Sequence, residues 1–173
     1  MAKYLELRRH TDADGDVLTA DGVKAALEIG SRLAGGYDLC VSTGAQRATQ
    51  TLACFLAGLG EKVRQGVVVE PELRSAVEDR WRAAYEQAGS GDLAALREAD
   101  PVLVEEDASL LAAALRRVLD ALPEDGRALV VGHSPTNEAA VLGLVGQIVE
   151  PISKGDGVLV VEENGALRVE ELA

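Results

Sequence analysis

Apolar and polar positions follow two alternating periods along this chain. Short runs rich in Leu, Val and Ala occupy 3–9, 37–42, 62–69 and 127–132, and each ends at a polar or glycine-bearing break. Such runs read as strands, and a continuous one such as Ala128-Leu129-Val130-Val131 reads as a strand covered on both faces. Between them the period becomes helical. Val23, Ala26, Leu27, Gly30 and Leu33 keep one stripe, from a cap at Thr19, with Asp21 in the first turn, to a stop at Gly35-Gly36. Leu52, Phe55, Leu56 and Leu59 keep a second, with Gly58 and Gly60 at its exit. Leu111, Leu115, Val118 and Leu122 mark a third over 107–122, followed by the turn Pro123-Glu124-Asp125-Gly126. A fourth helix opens with Ser134 as N-cap and Pro135 as first helical residue, and runs to Gly146. Residues 12–17, around Gly15, read as a loop. Two last strands, 157–162 and 166–171, flank the turn Glu163-Asn164-Gly165.

Strand and helix alternate over most of this length, which predicts an α/β fold: a three-layer α/β/α sandwich with a mostly parallel central sheet of about six strands. Residues 72–108 break the alternation. Trp81 and Tyr85 fall four apart, Gly89-Ser90-Gly91 interrupts, and Asp92–Ala99 is a short helix ended by Pro101. This stretch reads as a small helical cap insertion over one end of the sheet, within one domain spanning 1–173.

Composition narrows the picture. A chain of 173 residues can bury a sizeable core, and with aromatics at 3% that core must be built from Ala, Leu and Val. A net charge of −12 argues against a nucleic-acid partner, which needs a basic stripe. A locally basic pocket for a phosphorylated ligand is compatible with it. Cys40 and Cys54 sit in no metal or redox spacing. The first residues lack the apolar core of a signal peptide, and no apolar run is long enough to span a bilayer, so a cytoplasmic protein without a membrane partner is expected. Oligomeric state is not readable from these patterns.

Candidate chemistry lies at the strand ends. The only two histidines, His10 and His133, each directly follow an apolar run, in Leu5-Glu6-Leu7-Arg8-Arg9-His10 and Leu129-Val130-Val131-Gly132-His133. Arg47 also follows a strand, at the start of a helix. Ligands of parallel sheets bind at the carboxyl ends of the strands, so the three should share one edge. Either histidine alone is more simply a hydrogen-bonded structural residue; two, with Arg9 and Arg47 at matching positions, read as a site. Phosphoryl transfer needs positioning and positive charge around the non-bridging oxygens. Arg9 and Arg47 offer forked donors, a neutral His10 offers a lone pair, and a protonated His133 would stabilise the transition state. Arg8, alternating with Arg9, reads as a surface or ion-pair residue. Trp81 and Tyr85 read as packing within the cap, and Glu138 as a helix-dipole residue that could also reach the pocket.

These segments resemble the histidine phosphatase superfamily, the phosphoglycerate mutase-like proteins. Leu7-Arg8-Arg9-His10-Thr11 resembles the arginine–histidine–glycine signature, Ser42-Thr43-Gly44-Ala45-Gln46-Arg47-Ala48-Thr49-Gln50-Thr51 the second arginine segment, and Val131-Gly132-His133 the second histidine segment. Leu18-Thr19-Ala20-Asp21-Gly22 matches the start of the first helix. The resemblance implies a phosphohistidine intermediate on His10, a phosphate cradle of Arg9, Arg47 and His133, and neither metal nor cofactor. Thr11 stands where the family has glycine, and its hydroxyl, like that of Ser134, is a candidate substrate contact. Asp16 falls at a frequent asparagine. Ser75 falls where many members carry a glutamate acid, which leaves Glu72, then Glu78, then Asp79, as candidate general acids. The expected function is hydrolysis of a phosphomonoester or a phosphohistidine, on a phosphorylated small molecule or phosphoprotein. A phosphomutase and a non-catalytic phosphate-binding module are the alternatives.

Overall fold

In the computed structural model, which describes residues 1–172, β1 (Ala2–Arg9) is followed by a small hairpin, β2 (Ala13–Asp14) and β3 (Val17–Leu18), and by α1 (Ala20–Gly30). Next come β4 (Leu39–Ser42), α2 (Gln46–Leu59), β5 (Val67–Val69) and a single 3-10 turn at Pro71–Leu73. The helices α3 (Glu78–Ala88), α4 (Leu93–Ala99) and α5 (Pro101–Ala121) follow in succession. The chain ends with β6 (Arg127–Gly132), α6 (Thr136–Val145), β7 (Gly157–Glu163) and β8 (Ala166–Glu171).

The main sheet has six strands in the order β5-β4-β6-β1-β7-β8. The first four are mutually parallel; β7 and β8 extend the sheet antiparallel. Alternation along the strands divides the core. Leu5, Leu7, Leu39, Val41, Ala128 and Val130 face α5 and α6, while Cys40, Leu129 and Val131 face α1 and α2. Trp81, Leu93 and Leu96 pack into the first of these two cores, so α3 and α4 share apolar burial with the sheet. Helices α1 and α2 touch backbone to backbone: a Cβ on Gly30 would collide with the Phe55 carbonyl.

Several element boundaries differ from the sequence expectation. The 12–17 loop contains the β2–β3 hairpin. The third strand is confined to Val67–Val69, because Gly66 turns with φ +83° and its N–H bonds back to the Val63 carbonyl. The short helix ends at Ala99, as expected, but the long helix begins at Pro101 and not at 107: the missing proline N–H costs nothing in the first turn, and the Asp100 carboxylate caps the Leu103 N–H at 3.1 Å. The last helix begins at Thr136, with Pro135 at the cap position. Among the described residues, no helix is long and apolar enough to cross a membrane.

Arg8 is an ion-pair residue, but an inward one. Its Nε lies 2.6 Å from the buried Glu6 carboxylate, to which the Tyr37 hydroxyl also donates at 3.0 Å. Arg8 thus supports β1 from the α1–α2 side and leaves Arg9 to face the other.

Candidate functional site

Strand order brings the site together. β4, β6 and β1 are neighbours and parallel, with Ser42 paired to Val131 and Arg9 to Gly132. Thr43, His133 and His10 therefore leave the sheet side by side, and the His10 N–H donates to the Gly132 carbonyl at 3.0 Å. Gly132 has to be small, because a Cβ there would run into the Asn137 amide. That amide accepts from the His133 N–H at 3.2 Å and donates to the Arg8 carbonyl at 3.1 Å, which joins the two histidine segments.

The rings of His10 and His133 meet edge to face, with centroids 5.4 Å apart. His10 Nδ1 lies 2.7 Å from the Thr11 carbonyl oxygen. A carbonyl only accepts, so Nδ1 carries the proton and Nε2 keeps a lone pair. Burial holds the His10 pKa below the ordinary histidine value; the Thr11 bond opposes this, and the charges of Arg47, Arg9 and Lys154 add to it. His133 is only 8% exposed, with Nε2 2.8 Å from the Thr43 hydroxyl. Burial first, then Arg47 and His10, depress its pKa to about 3. Desolvation and neighbouring cations both disfavour the protonated form in which His133 would stabilise a transition state by its charge.

Two arginines complete the basic side. Arg9 Nη1 donates to the Ile152 carbonyl at 3.0 Å, while its buried Nε has no partner. Arg47, in the first turn of α2, is held by Asp16: Nη1 lies 2.8 Å from Oδ1. The same carboxylate accepts from the backbone N–H groups of Gln46 and Arg47, each at 3.2 Å. Ala45 offers no side-chain cap to α2, so Asp16 caps it from the β2–β3 hairpin. These donors depress the Asp16 pKa against the opposing, and largest, effect of burial. Glu138, on α6 and 1% exposed, accepts from the Ser134 hydroxyl and has one oxygen without a partner. Burial raises its pKa to about 7, opposed by Ser134 and by the nearby charge of Arg9.

A cavity of about 260 Å³ adjoins His133 and Arg47 and runs beneath α3, where Ser75, Glu78, Trp81 and Tyr85 line it. Ser75 is no acid, and its hydroxyl donates to the buried Asp107 at 2.7 Å; Trp81 Nε1 donates to the same oxygen at 2.6 Å. Glu78 lines the cavity but is ion-paired to Arg74 at 2.6 Å. Glu72 lies elsewhere, exposed on the 3-10 turn and paired with Arg117 at 2.6 Å. Asp79 is exposed and pairs with Arg82 at 3.1 Å. Thr11, expected to meet substrate, is buried with its hydroxyl donated to the Gly22 carbonyl at 2.8 Å; side-chain packing under α1 leaves it no free donor. Ser134 lines the cavity, yet its hydroxyl is committed to Glu138 instead of capping α6.

Sequence reasoning singled out neither Thr43 nor Asn137. A serine/threonine at a strand end and an asparagine four after the histidine were the available signals, but both are common capping residues. No family model and no curated protein matches the chain. Solved structures do. Over 97% of both chains, it resembles a mycobacterial glucosyl-3-phosphoglycerate phosphatase complexed with VO3, with a TM-score of 0.74 and 18% identity. A phosphoglycerate mutase from Bacillus anthracis matches 99% of this chain and 92% of its own, with a TM-score of 0.73 and 20% identity. A phosphoserine phosphatase from Entamoeba histolytica, in complex with 3-phosphoglyceric acid, matches 98% and 95%, with a TM-score of 0.71 and 16% identity. The chain has the fold that these three proteins share.

Proposed function

We propose that this chain, built on the phosphoglycerate mutase-like fold, is a phosphatase that works through a phosphohistidine on His10. The observation that carries the reading is the fixed tautomer: the Thr11 carbonyl takes the Nδ1 proton and leaves Nε2 as the lone-pair nitrogen, beside His133, Arg9 and Arg47. A lowered pKa keeps that nitrogen unprotonated at neutral pH. Nε2 attacks phosphorus, the bond to the departing group breaks with its electron pair leaving on that group, and a covalent phosphohistidine results. Water then attacks phosphorus, the P–N bond breaks, inorganic phosphate leaves and the His10 lone pair is restored. Arg9, through its unpartnered Nε, and Arg47 supply positive charge to the transferring oxygens. His133, neutral, acts as a hydrogen-bond donor through Nδ1, the nitrogen without a protein partner.

The departing group receives less help. Glu78 is held by Arg74, Ser75 is bonded to Asp107, and Glu72 is turned away. Substrates whose departing group is stable without strong protonation suit this arrangement: an aryl phosphate, an acyl phosphate or a phosphohistidine. The test is p-nitrophenyl phosphate hydrolysis with wild-type protein and His10→Ala, together with trapping of an acid-labile, alkali-stable phosphoenzyme. Equal hydrolysis by both proteins overturns the assignment.

A further inference from the structure

A buried carboxyl group stands behind the cavity and reaches it through a hydrogen-bonded neighbour. Glu138, in the first turn of α6, is 1% exposed, and its Oε1 has no partner. Its Oε2 is hydrogen-bonded to the hydroxyl of Ser134, four residues earlier. Ser134 directly follows His133 and lines the cavity beside it and Arg47. Ser134 therefore stands between an acid shielded from water and the space into which a departing group would move. Arg9, from β1, is the charged group acting on Glu138; its other polar neighbours, the Ser134 hydroxyl and the Ile152 backbone, are uncharged.

A hydroxyl has one proton to give, so the state of Glu138 decides where the Ser134 proton points. Ionised, Glu138 only accepts, and the Ser134 proton is committed to it. Holding a proton, Glu138 donates to Ser134 Oγ across the same pair of oxygens, and the Ser134 O–H is released toward the cavity. Burial favours the second state, with a pKa of about 7. The cap supplies no such proton: Glu78 is paired with Arg74, and the Ser75 hydroxyl is donated to Asp107. Resting on the phosphatase reading above, we propose that Ser134 is the catalytic residue that protonates the departing oxygen, and that Glu138 is the positioning residue behind it that holds and resupplies the proton. As the bond from phosphorus to the departing oxygen breaks, that oxygen keeps the electron pair and takes the Ser134 proton. Ser134 Oγ takes the proton of Glu138, which is left as a carboxylate near the charge of Arg9. When water attacks the phosphohistidine the path runs in reverse: water yields a proton to Ser134 Oγ, Ser134 yields its own to Glu138, and the acid is restored.

The experiment measures kcat/KM for p-nitrophenyl, phenyl and ethyl phosphate with wild type, Glu138→Gln and Ser134→Ala. The glutamine keeps the shape of the protonated acid and a hydrogen bond to Ser134, but it cannot pass on a proton. Both variants should lose at least tenfold more on phenyl phosphate than on p-nitrophenyl phosphate, whose departing group is stable without protonation, and more again on ethyl phosphate. The wild-type rate on phenyl phosphate, relative to p-nitrophenyl phosphate, should fall as pH rises through about 7, because an ionised Glu138 has no proton to supply; in Glu138→Gln that fall should be absent. A loss of equal size on all three compounds overturns the proposal, since it would mean that Glu138 acts on Arg9 or on packing and not on the departing oxygen. No loss in either variant overturns it as well. In both cases His10-dependent turnover of p-nitrophenyl phosphate keeps the phosphatase reading. If none of the three compounds is turned over in a His10-dependent way, both readings fall.

Discussion

The two halves of the site are built on opposite rules. At the sheet edge, polar atoms are left open: Arg9 Nε, His133 Nδ1 and Glu138 Oε1 are the buried side-chain atoms without partners among the described residues. Under α3, the buried polar groups are engaged in the Ser75–Asp107–Trp81 triad, and the arginines in the Arg74–Glu78 and Arg82–Asp79 pairs. An unpartnered buried donor costs stability, and such a cost is tolerated where a ligand supplies the missing partner. A satisfied network instead makes a rigid wall. In the proposed reaction, the open half is where phosphate should bind and the closed half is where the departing group should lie.

Removing the proposed nucleophile is the sharpest way to break this contrast. His10→Ala should lower kcat on the order of 10⁴-fold or more, because no other group in the site can take over covalent catalysis. Steady-state assays against p-nitrophenyl phosphate would read this. Arg9→Ala removes a donor proposed to meet the transferring oxygens and should cost about 10²–10³-fold in kcat, with the fold retained by circular dichroism.

The next effect concerns stability and its pH dependence. Burial lifts the Glu138 pKa to about 7, above its ordinary value of 4.5. Below pH 4.5 both folded and unfolded chains hold the proton. Between 4.5 and about 7 only the folded chain does, so this group's contribution is lost as pH rises through that window. Glu138→Gln should thus gain stability relative to wild type between pH 5 and pH 8, by up to ~3 kcal/mol, read from urea melts at the two pH values. His133 has the opposite sign: with a folded pKa of about 3, its neutral form contributes fully above 6.5, and that contribution is lost as pH falls toward 3. A wild-type difference of the same size in the Gln variant would show that Glu138 is ionised when buried.

The smallest expected effect sharpens the comparison where the halves meet. Asp16→Asn keeps an acceptor for the α2 N-terminus but frees the charge of Arg47. Vanadate inhibition should tighten by about tenfold or less, since the pair is partly exposed and screened. Weaker inhibition would mean that Asp16 chiefly orients Arg47.

The contrast also marks what was legible in the chain. His10, Arg9, Arg47 and His133 stand out because strand ends are visible as apolar runs that stop, and parallel pairing carries those ends to one edge. The central strands and the helices on either side were legible for the same reason. The cap was not. Asp107 lies 32 residues from Ser75 and 26 from Trp81, and nothing in a charged, weakly patterned segment announces that they meet. Glu138 read as a dipole residue because α6 is covered almost all round along its first half, so its burial has no periodic signature. The start of α5 was read too late, at 107, because the apolar stripe stands out only from Leu111, whereas the Asp100 cap and Pro101 open the helix earlier.

The position of β1 has a consequence for how the site comes into being. β1 is an inner strand of the sheet, and both of its neighbours, β6 (Arg127–Gly132) and β7 (Gly157–Glu163), lie far downstream of it in sequence. The Arg9 N–H bonds to Asp156 and the His10 N–H to Gly132. On the ribosome, the His10 segment must therefore wait, apolar and unpaired, until β6 and β7 have emerged. A truncated chain lacking β6 and β7 has no means of assembling that edge of the sheet.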